Sequence, residues 1–340
     1  MKPCPMNHGR RQQHAPWPVR SSAGFTLIEL MVAMLLGLIV IGGVVSVFLA
    51  NQRSYRTNQA LSDVQDSSRV AFEMMARDIR NAGLTGCSNS GRVANVLNNR
   101  STAWWANWSN TLMGYGAGQT DLAVTTGAGA GQRASGTDSL MLLGADSSGV
   151  SVKNNAEPAA TFTINETSSN LQAGDVIIVC DPDHAAIVQI TGYANGTITH
   201  AASGSPGNCT TDLNYPTVCS SESSYVFAPN AQIAKLTAAD WYIGNYVDGN
   251  GVSGKSLYRM DATNTAQEMV RDVTGMSITY HQSGNNSFVG ASDPLLTNWA
   301  LVDAVQVNLT VESTDKHAGI DVKPLSRKFT ATTTVRNRVN

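Results

Sequence analysis

The sequence predicts an α+β fold, in which a long N-terminal hydrophobic helix packs on an antiparallel β-rich globular domain. Three observations predict it. An uncharged apolar run, Leu30–Ala50, is followed by a helical pattern that continues toward Gly83. From Cys87 onward the composition shifts to Gly, Ser, Thr, Asn and Ala, with short β-like runs between them. One of those runs, Ala304–Val311, alternates with period two, the mark of a half-buried antiparallel strand.

The first element is the apolar run. It spans 21 residues without a charge, matching the roughly 20 that cross a bilayer as a helix. A cleavable secretory signal has a shorter apolar core, about 7–15 residues, with its small-residue site after it. Here Ser21-Ser22-Ala23-Gly24 comes before the run. No Asp or Glu occurs before residue 29, whereas Lys2, Arg10, Arg11 and Arg20 are basic. This basic leader stays on the cytoplasmic side, which places everything after Ala50 outside. An uncleaved signal anchor is the plain reading of span and charge alone.

Glu29 argues for something more specific. A carboxylate at bilayer depth costs on the order of 3 kcal/mol, so such a residue calls for a named partner. Glu29 lies four residues past Phe25, about one helical turn. A cut after Gly24 gives Phe25 a positive amine, which Glu29 can pair with in its own chain or in a neighbour. Gly37, Gly42 and Gly43 interrupt the run without GxxxG spacing. They permit close helix contact or local unwinding, but glycine is also common in membrane helices.

Gly24-Phe25-Thr26-Leu27-Ile28-Glu29, with the basic leader before it and the apolar run after it, resembles the class III signal of type IV prepilins and pseudopilins. The leader of 24 residues is longer than most, with Pro16, Trp17 and Pro18 inside it. The resemblance implies cleavage between Gly24 and Phe25 by a prepilin peptidase, N-methylation of Phe25, and an assembly role for Glu29 in neutralising the terminal amine of an adjacent subunit. It divides the chain into a leader (1–24), a transmembrane or filament-core helix (25–50), the periplasmic half of that helix (51–83) and a β-rich head (84–340).

The second half of the helix is read from its periodicity. Leu61, Val64, Ser68, Ala71, Met75 and Ile79 share one face. Asp66, Arg69, Glu73 and Arg77 share the other, at spacings that allow ion pairs on a solvated face. Gly83 and Gly86 end the pattern. A helix from Phe25 to Ala82 is about 87 Å long at 1.5 Å per residue.

The body is long enough for one large domain or two small ones, and only 14% of the 340 residues are charged. Loss of residues 1–24 removes four of the 23 basic residues. The remaining 19 face 25 acidic ones, a formal net of about −6. That argues against nucleic-acid binding, which needs a basic footprint. Cys87, Cys180, Cys209 and Cys219 form an even set outside the leader, as an oxidising compartment favours. No CxxC spacing occurs. Cys209 and Cys219 flank a short loop and are the easiest pair to close, leaving Cys87 with Cys180. All three connectivities remain open on sequence. Strands are expected at Ser139–Leu143, Asp175–Val179, Ala186–Thr191, Tyr225–Ala228, Ser277–Tyr280, Ala304–Val311 and Phe329–Val335. Residues 95–136, with Trp104, Trp105 and Trp108, read as a long surface excursion. The tryptophans could face a partner or anchor the loop.

Arg69–Cys87, Gly174–Thr191, Ser256–Arg259 and Val302–Ser313 resemble, in that order, blocks of the PilW family of minor pilins. Pseudopilin J of type II secretion shares the helix and the late strand pattern. The resemblance implies a minor pilin that helps initiate type IV pilus assembly, in a tip complex. Its partners would be the prepilin peptidase, other minor pilins, the major pilin, the inner-membrane assembly platform and a tip adhesin. The protein would sit in the inner membrane with its body in the periplasm, then enter the pilus. A secretion pseudopilin, an uncleaved membrane-anchored binding module and an anchored enzyme are the alternatives.

Chemistry in the body is sparsely signalled. Asp181-Pro-Asp-His184 carries possible metal ligands but reads first as a turn. Asp248–Gly251 is an acidic, glycine-containing loop without EF-hand spacing, of a kind that binds calcium in some pilin-like proteins. Calcium is therefore the one candidate cofactor, and no metal or catalytic residue is assigned. His184, His200, His281 and His317 show no partner in sequence, and no GxSxG, Walker A, HExxH or GxGxxG motif occurs. No enzyme is expected.

Overall fold

The computed structural model describes residues 24–87, 92–220, 224–319, 323–336 and 338. The leader's Cys4, His8 and His14 lie outside them. The chain divides into two units, Met1–Tyr55 and Arg56–Asn340.

The helix α1 runs from Leu27 to Asn81. Thr26 precedes it, and its Oγ1 accepts from Glu29 N at 3.3 Å, closing the first turn. In the first unit the large apolar side chains from Phe25 to Leu49 are exposed, and no residue of the most apolar 18-residue window is buried. In the second unit the helix buries Ala60, Val64, Ser68, Ala71, Met75 and Ile79. The buried face is the expected one except at its start, where Ala60 takes the position expected for Leu61 and Leu61 is half-buried. Of the charge pairs that the spacing allows, Arg69–Glu73 forms, at 3.0 Å on the exposed face. Past Asn81 the chain turns at Gly83, whose φ of 75° suits glycine. Gly83 N then donates to Leu143 O at 2.8 Å.

The described residues hold fifteen strands: β1 (Val93–Asn95), β2 (Leu112–Tyr115), β3 (Ser139–Ala156), β4 (Thr161–Ile164), β5 (Val176–Cys180), β6 (Ala185–Gln189), β7 (Gly192–Ala194), β8 (Thr197–Thr199), β9 (Gln232–Val247), β10 (Ser253–Asp261), β11 (Ala266–Arg271), β12 (Val273–Gln282), β13 (Phe288–Gly290), β14 (Val302–Glu312) and β15 (Ser326–Thr334). Two sheets result. The larger runs β1-β6-β5-β9-β3-β4-β8-β7, with β10–β11 branching from β9 and β2 from β3. The smaller is β13-β12-β14-β15. Apart from the parallel β1–β6 pair, the strand pairs are antiparallel.

The 16-residue β9 organises the larger sheet. Its first residues pair with β5, its second half pairs with β10, and β3 runs along its other edge. In β14 Val305, Val307, Leu309 and Val311 are buried while Gln306, Asn308 and Thr310 are half-exposed, as the alternation predicts. These valines and leucines join Val64, Met75 and Ile79 of the helix and Leu140 and Trp241 of the larger sheet in one core. Asp78 secures the contact, its Oδ2 accepting from Trp241 Nε1 at 3.0 Å and Arg259 Nε at 2.9 Å. At Gly144 a Cβ would stand 2.5 Å from the carbonyl oxygen of Asn81, so only glycine lets the helix end lie this close to β3.

Two expectations are corrected. Tyr225–Ala228 is not a strand. Its aromatics give a β-like pattern, but Phe227 is a buried plug in a second core with Phe162, Ile177 and Val188. Residues 95–136 are not a surface excursion. They contribute β2 and bury Leu97, Trp104, Ala106, Leu112, Tyr115, Val124 and Ala134. What holds them is Arg133, which is fully buried. Its guanidinium donates to the carbonyls of Thr137 (Nε, 3.0 Å), Gln119 (3.1 Å) and Gly116 (2.8 Å).

Candidate functional site

The N-terminal segment is assembled by local rules. Apart from its chain neighbours, no described residue comes within 4 Å of where a Cβ on Gly24 would lie, and Phe25 is 83% exposed. Thr26 and Glu29 have the T-x-x-E spacing of a capping box. One half of that box is present, because Thr26 Oγ1 accepts from Glu29 N. Glu29 sits in the first helical turn, where a carboxylate complements the helix dipole. It is exposed and has no ion-pair partner among the described residues. The sequence signal for this cap is the Thr26-x-x-Glu29 spacing, which the charge of Glu29 alone does not reveal. Beyond Glu29 the apolar residues to Leu49 present a continuous exposed surface. Gly37, Gly42 and Gly43 each have open space about them. The segment thus combines an accessible small residue, an exposed aromatic, one unpaired acid and an uncovered apolar helix.

The body's sequence candidates resolve mostly into structure. Asp181 Oδ1 accepts from Asp183 N and His184 N, and Oδ2 accepts from Tyr225 OH at 2.7 Å. Burial works to raise this carboxyl, but those hydrogen bonds outweigh it and hold it below the ordinary range. His184 Nε2 meets Leu213 O at 3.0 Å and its ring abuts Tyr225. The cluster is a turn between β5 and β6 whose polar atoms are occupied. Asp248 Oδ1 likewise accepts from Asn250 N and Val252 N. Among the described residues no three His, Cys, Asp or Glu side chains gather as metal ligands would.

Cys87 bonds to Cys180 and Cys209 to Cys219, spanning 93 and 10 residues. The first bridge ties the segment after the helix to β5. The second closes the loop beside the Trp104–Asn110 turns. Trp104 anchors its segment, with Nε1 donating to Asn264 Oδ1 at 2.9 Å. Trp105 and Trp108 are half-buried.

Other polar groups gave no sequence signal because their partners are distant in the chain. His200 Nε2 meets Glu157 Oε1 at 3.0 Å in the interior, under the ring of Phe162. His281 Nδ1 meets Asp303 Oδ1 at 2.6 Å. Asp240 is fully buried, and among the described residues no donor faces either of its carboxylate oxygens. Burial first, then the charge of nearby Asp121, pushes its carboxyl well above the usual carboxylate range. Protonated, Asp240 becomes the donor to Asp121. A cleft of about 320 Å3 lies beside the Asp78–Arg259 pair, lined by Met74, Arg77, Trp241 and Met269 as well. It sets charged groups over an apolar floor and, among the described residues, has no histidine or cysteine in its lining.

The N-terminal geometry coincides with the one family match. Residues 19–45 match the prokaryotic N-terminal methylation motif. No curated protein and no solved structure matches the chain. The motif is a class III prepilin signal and supports a type IV pilin or pseudopilin. It implies processing by a prepilin peptidase and assembly with other pilins, through a membrane-anchoring helix that carries a β-rich body.

Proposed function

We propose that the chain is a minor pilin of the PilW type that helps initiate type IV pilus assembly in a tip complex with other minor pilins. The observation that carries this reading is the uncovered apolar helix from Phe25 to Ala50 with the unpaired Glu29 in its first turn. Prepilin peptidase cuts between Gly24 and Phe25, an exposed stretch without helical backbone. N-methylated Phe25 then heads the mature chain. The helix waits in the inner membrane with the body in the periplasm. When it moves from lipid to filament, its apolar surface exchanges one apolar surrounding for another, so packing and charge pairing decide the transfer. Glu29 pairs there with the terminal amine of a neighbouring subunit. The body serves as a protein–protein module without covalent chemistry, in contact with other minor pilins, the major pilin, the assembly platform and a tip adhesin.

Intact-mass analysis of the protein purified from cells with an active prepilin peptidase is the test. It should give a chain that begins at methylated Phe25. A retained leader or an unmethylated Phe25 overturns the proposal. Glu29→Ala should be processed normally yet enter filaments at least tenfold less, and normal incorporation removes the pairing step. The same helix and the β14 pattern also fit a type II secretion pseudopilin of the J type. Deletion separates the two, abolishing pili in one case and secretion in the other.

A further inference from the structure

A groove of about 430 Å3 between the Trp104–Asn110 turns and the loop closed by Cys209–Cys219 belongs to none of the sites above. Its volume lies within the roughly 300–1,000 Å3 of small-ligand clefts. Asn95, Arg100, Asn107, Trp108, Tyr215 and Thr217 contribute to its lining.

The walls are fixed before any ligand arrives. Leu97 bridges to Asn208, and Cys209 N donates to Val96 O at 2.8 Å, which stitches the disulfide loop to the segment after β1. The 10-residue bridge then holds the arc that carries Tyr215 and Thr217. On the facing wall, Asn95 Nδ2 donates to Ala106 O at 2.7 Å, and Trp108 packs against the cluster around Leu97 and Ile187.

The chemistry offered is narrow. Trp108 is half-buried and Tyr215 is 51% exposed, and neither polar tip has a partner among the described residues. Arg100 uses Nη1 on Leu97 O at 3.0 Å and Cys209 Sγ at 3.6 Å, leaving Nε and Nη2 open. Asn107, Ser101, Ser109 and Thr217 add an amide and hydroxyls, the amide of Asn95 being spent on Ala106 O and Leu97 N, and no carboxylate lines the groove among the described residues. A pyranose ring matches this set. Its C–H face packs on an aromatic ring, its hydroxyls exchange hydrogen bonds with amides and hydroxyls, and a ring carboxylate suits a guanidinium. Nucleic acid fits less well, because one cation on an acidic body supplies little phosphate affinity. We propose that this groove binds a saccharide bearing a carboxylate, with Trp108 and Tyr215 as stacking surfaces and Arg100 as the carboxylate's partner. The site does not depend on the assembly reading.

Full-length protein in a detergent without a sugar headgroup is titrated with a hyaluronan tetrasaccharide and with uncharged chitotetraose, by calorimetry. The acidic sugar should bind saturably and more tightly. Trp108→Ala and Tyr215→Ala should each weaken it tenfold or more, and Arg100→Gln should abolish the preference for the acidic sugar. Tyr215 is exposed, so Tyr215→Ala should keep the parental melting curve, and its loss of binding then reports the groove and not unfolding. No saturable binding of either sugar overturns the proposal. So does sugar binding that survives both aromatic substitutions, or tighter binding of an eight-nucleotide oligothymidylate.

Discussion

Two four-residue apolar runs show how differently the two units use similar residues. Leu38, Ile39, Val40 and Ile41 in the first unit are 62–69% exposed, whereas Leu140, Met141, Leu142 and Leu143 in the second are at most 2% exposed. Burying a side chain of this kind stabilises by about 1.5–3 kcal/mol. The body has already gained that stabilisation. The N-terminal helix has not, and its apolar surface is complete only in lipid or against other helices. The first unit therefore shows its role as uncovered surface. The second satisfies most of its own polar and apolar groups and shows its role in the few places where it does not.

The comparison predicts that body stability ignores substitutions in the first unit and responds strongly to those in the second. The largest expected effect is at Arg133. Arg133→Met leaves the carbonyls of Gln119 and Thr137 without their donor and removes the cation that acts on Asp240, at a cost of about 3–5 kcal/mol. Guanidinium melts followed by tryptophan fluorescence measure it. A loss under about 1 kcal/mol would show that the 116–138 segment holds itself without the arginine.

Next in size is the pair that states the comparison directly. Leu140→Ala should cost about 2–5 kcal/mol through the cavity it leaves, and Leu38→Ala about zero in the same detergent. Similar losses at both positions would mean that the apolar helix supports the body, and the contrast between the units would fail.

Legibility in the sequence follows the same division. The N-terminal segment was readable because its signals are local: a basic leader, a glycine, an acid four residues past an aromatic, and a long apolar run. The amphipathic half of the helix and β14 were readable because their buried residues recur with the periods of helix and strand. The middle of the body was not. β9 gives a weak signal although Trp241-Tyr-Ile-Gly-Asn-Tyr-Val247 is rich in strand formers, because Leu236–Asp240 carries no alternation. The Asp121–Asp240 pair, His200–Glu157 and the Trp108–Tyr215 groove join residues far apart in the chain, and Arg133 binds backbone carbonyls, which no residue type marks. Their chemistry comes from topology, which local pattern does not encode.

Asp240 tests how completely the body satisfies itself. Its carboxyl is neutral in the folded protein at pH values where an ordinary aspartate, near 3.8, is ionised in the unfolded chain. The unfolded state then binds fewer protons, so stability falls as pH rises above about 4. Asp240→Asn removes the proton uptake and keeps an N–H donor for Asp121. The variant should match the parent near pH 4 and exceed it increasingly as pH rises toward 8. Parallel pH profiles of the two proteins would show that Asp240 does not titrate between the states.

A small effect is expected at His281, whose ion pair with Asp303 lies partly in water. The hydrogen bond that His281 donates to Asp303 first, then the charge of Asp303, raises the imidazole above its ordinary 6.5, and Asn285 O at 2.9 Å takes the other ring nitrogen. A raised folded value means that the protonated ring favours the folded state. That stabilisation is fully present below about pH 6.5 and is lost as pH rises through the folded value. The side chains of His281 and Asp303 keep 28% and 21% of their exposure, so water and salt screen the pair. His281→Gln should therefore cost no more than about 1 kcal/mol at pH 5.5 in low salt, and close to nothing at pH 9. The loss at pH 5.5 should shrink further in 1 M salt, where the Debye length is about 3 Å. A larger penalty that persists at pH 9 would place His281 with Arg133 among the buried polar supports. A small, salt-sensitive one places it with the solvated Arg69–Glu73 pair, where charge near water contributes little to holding the body together.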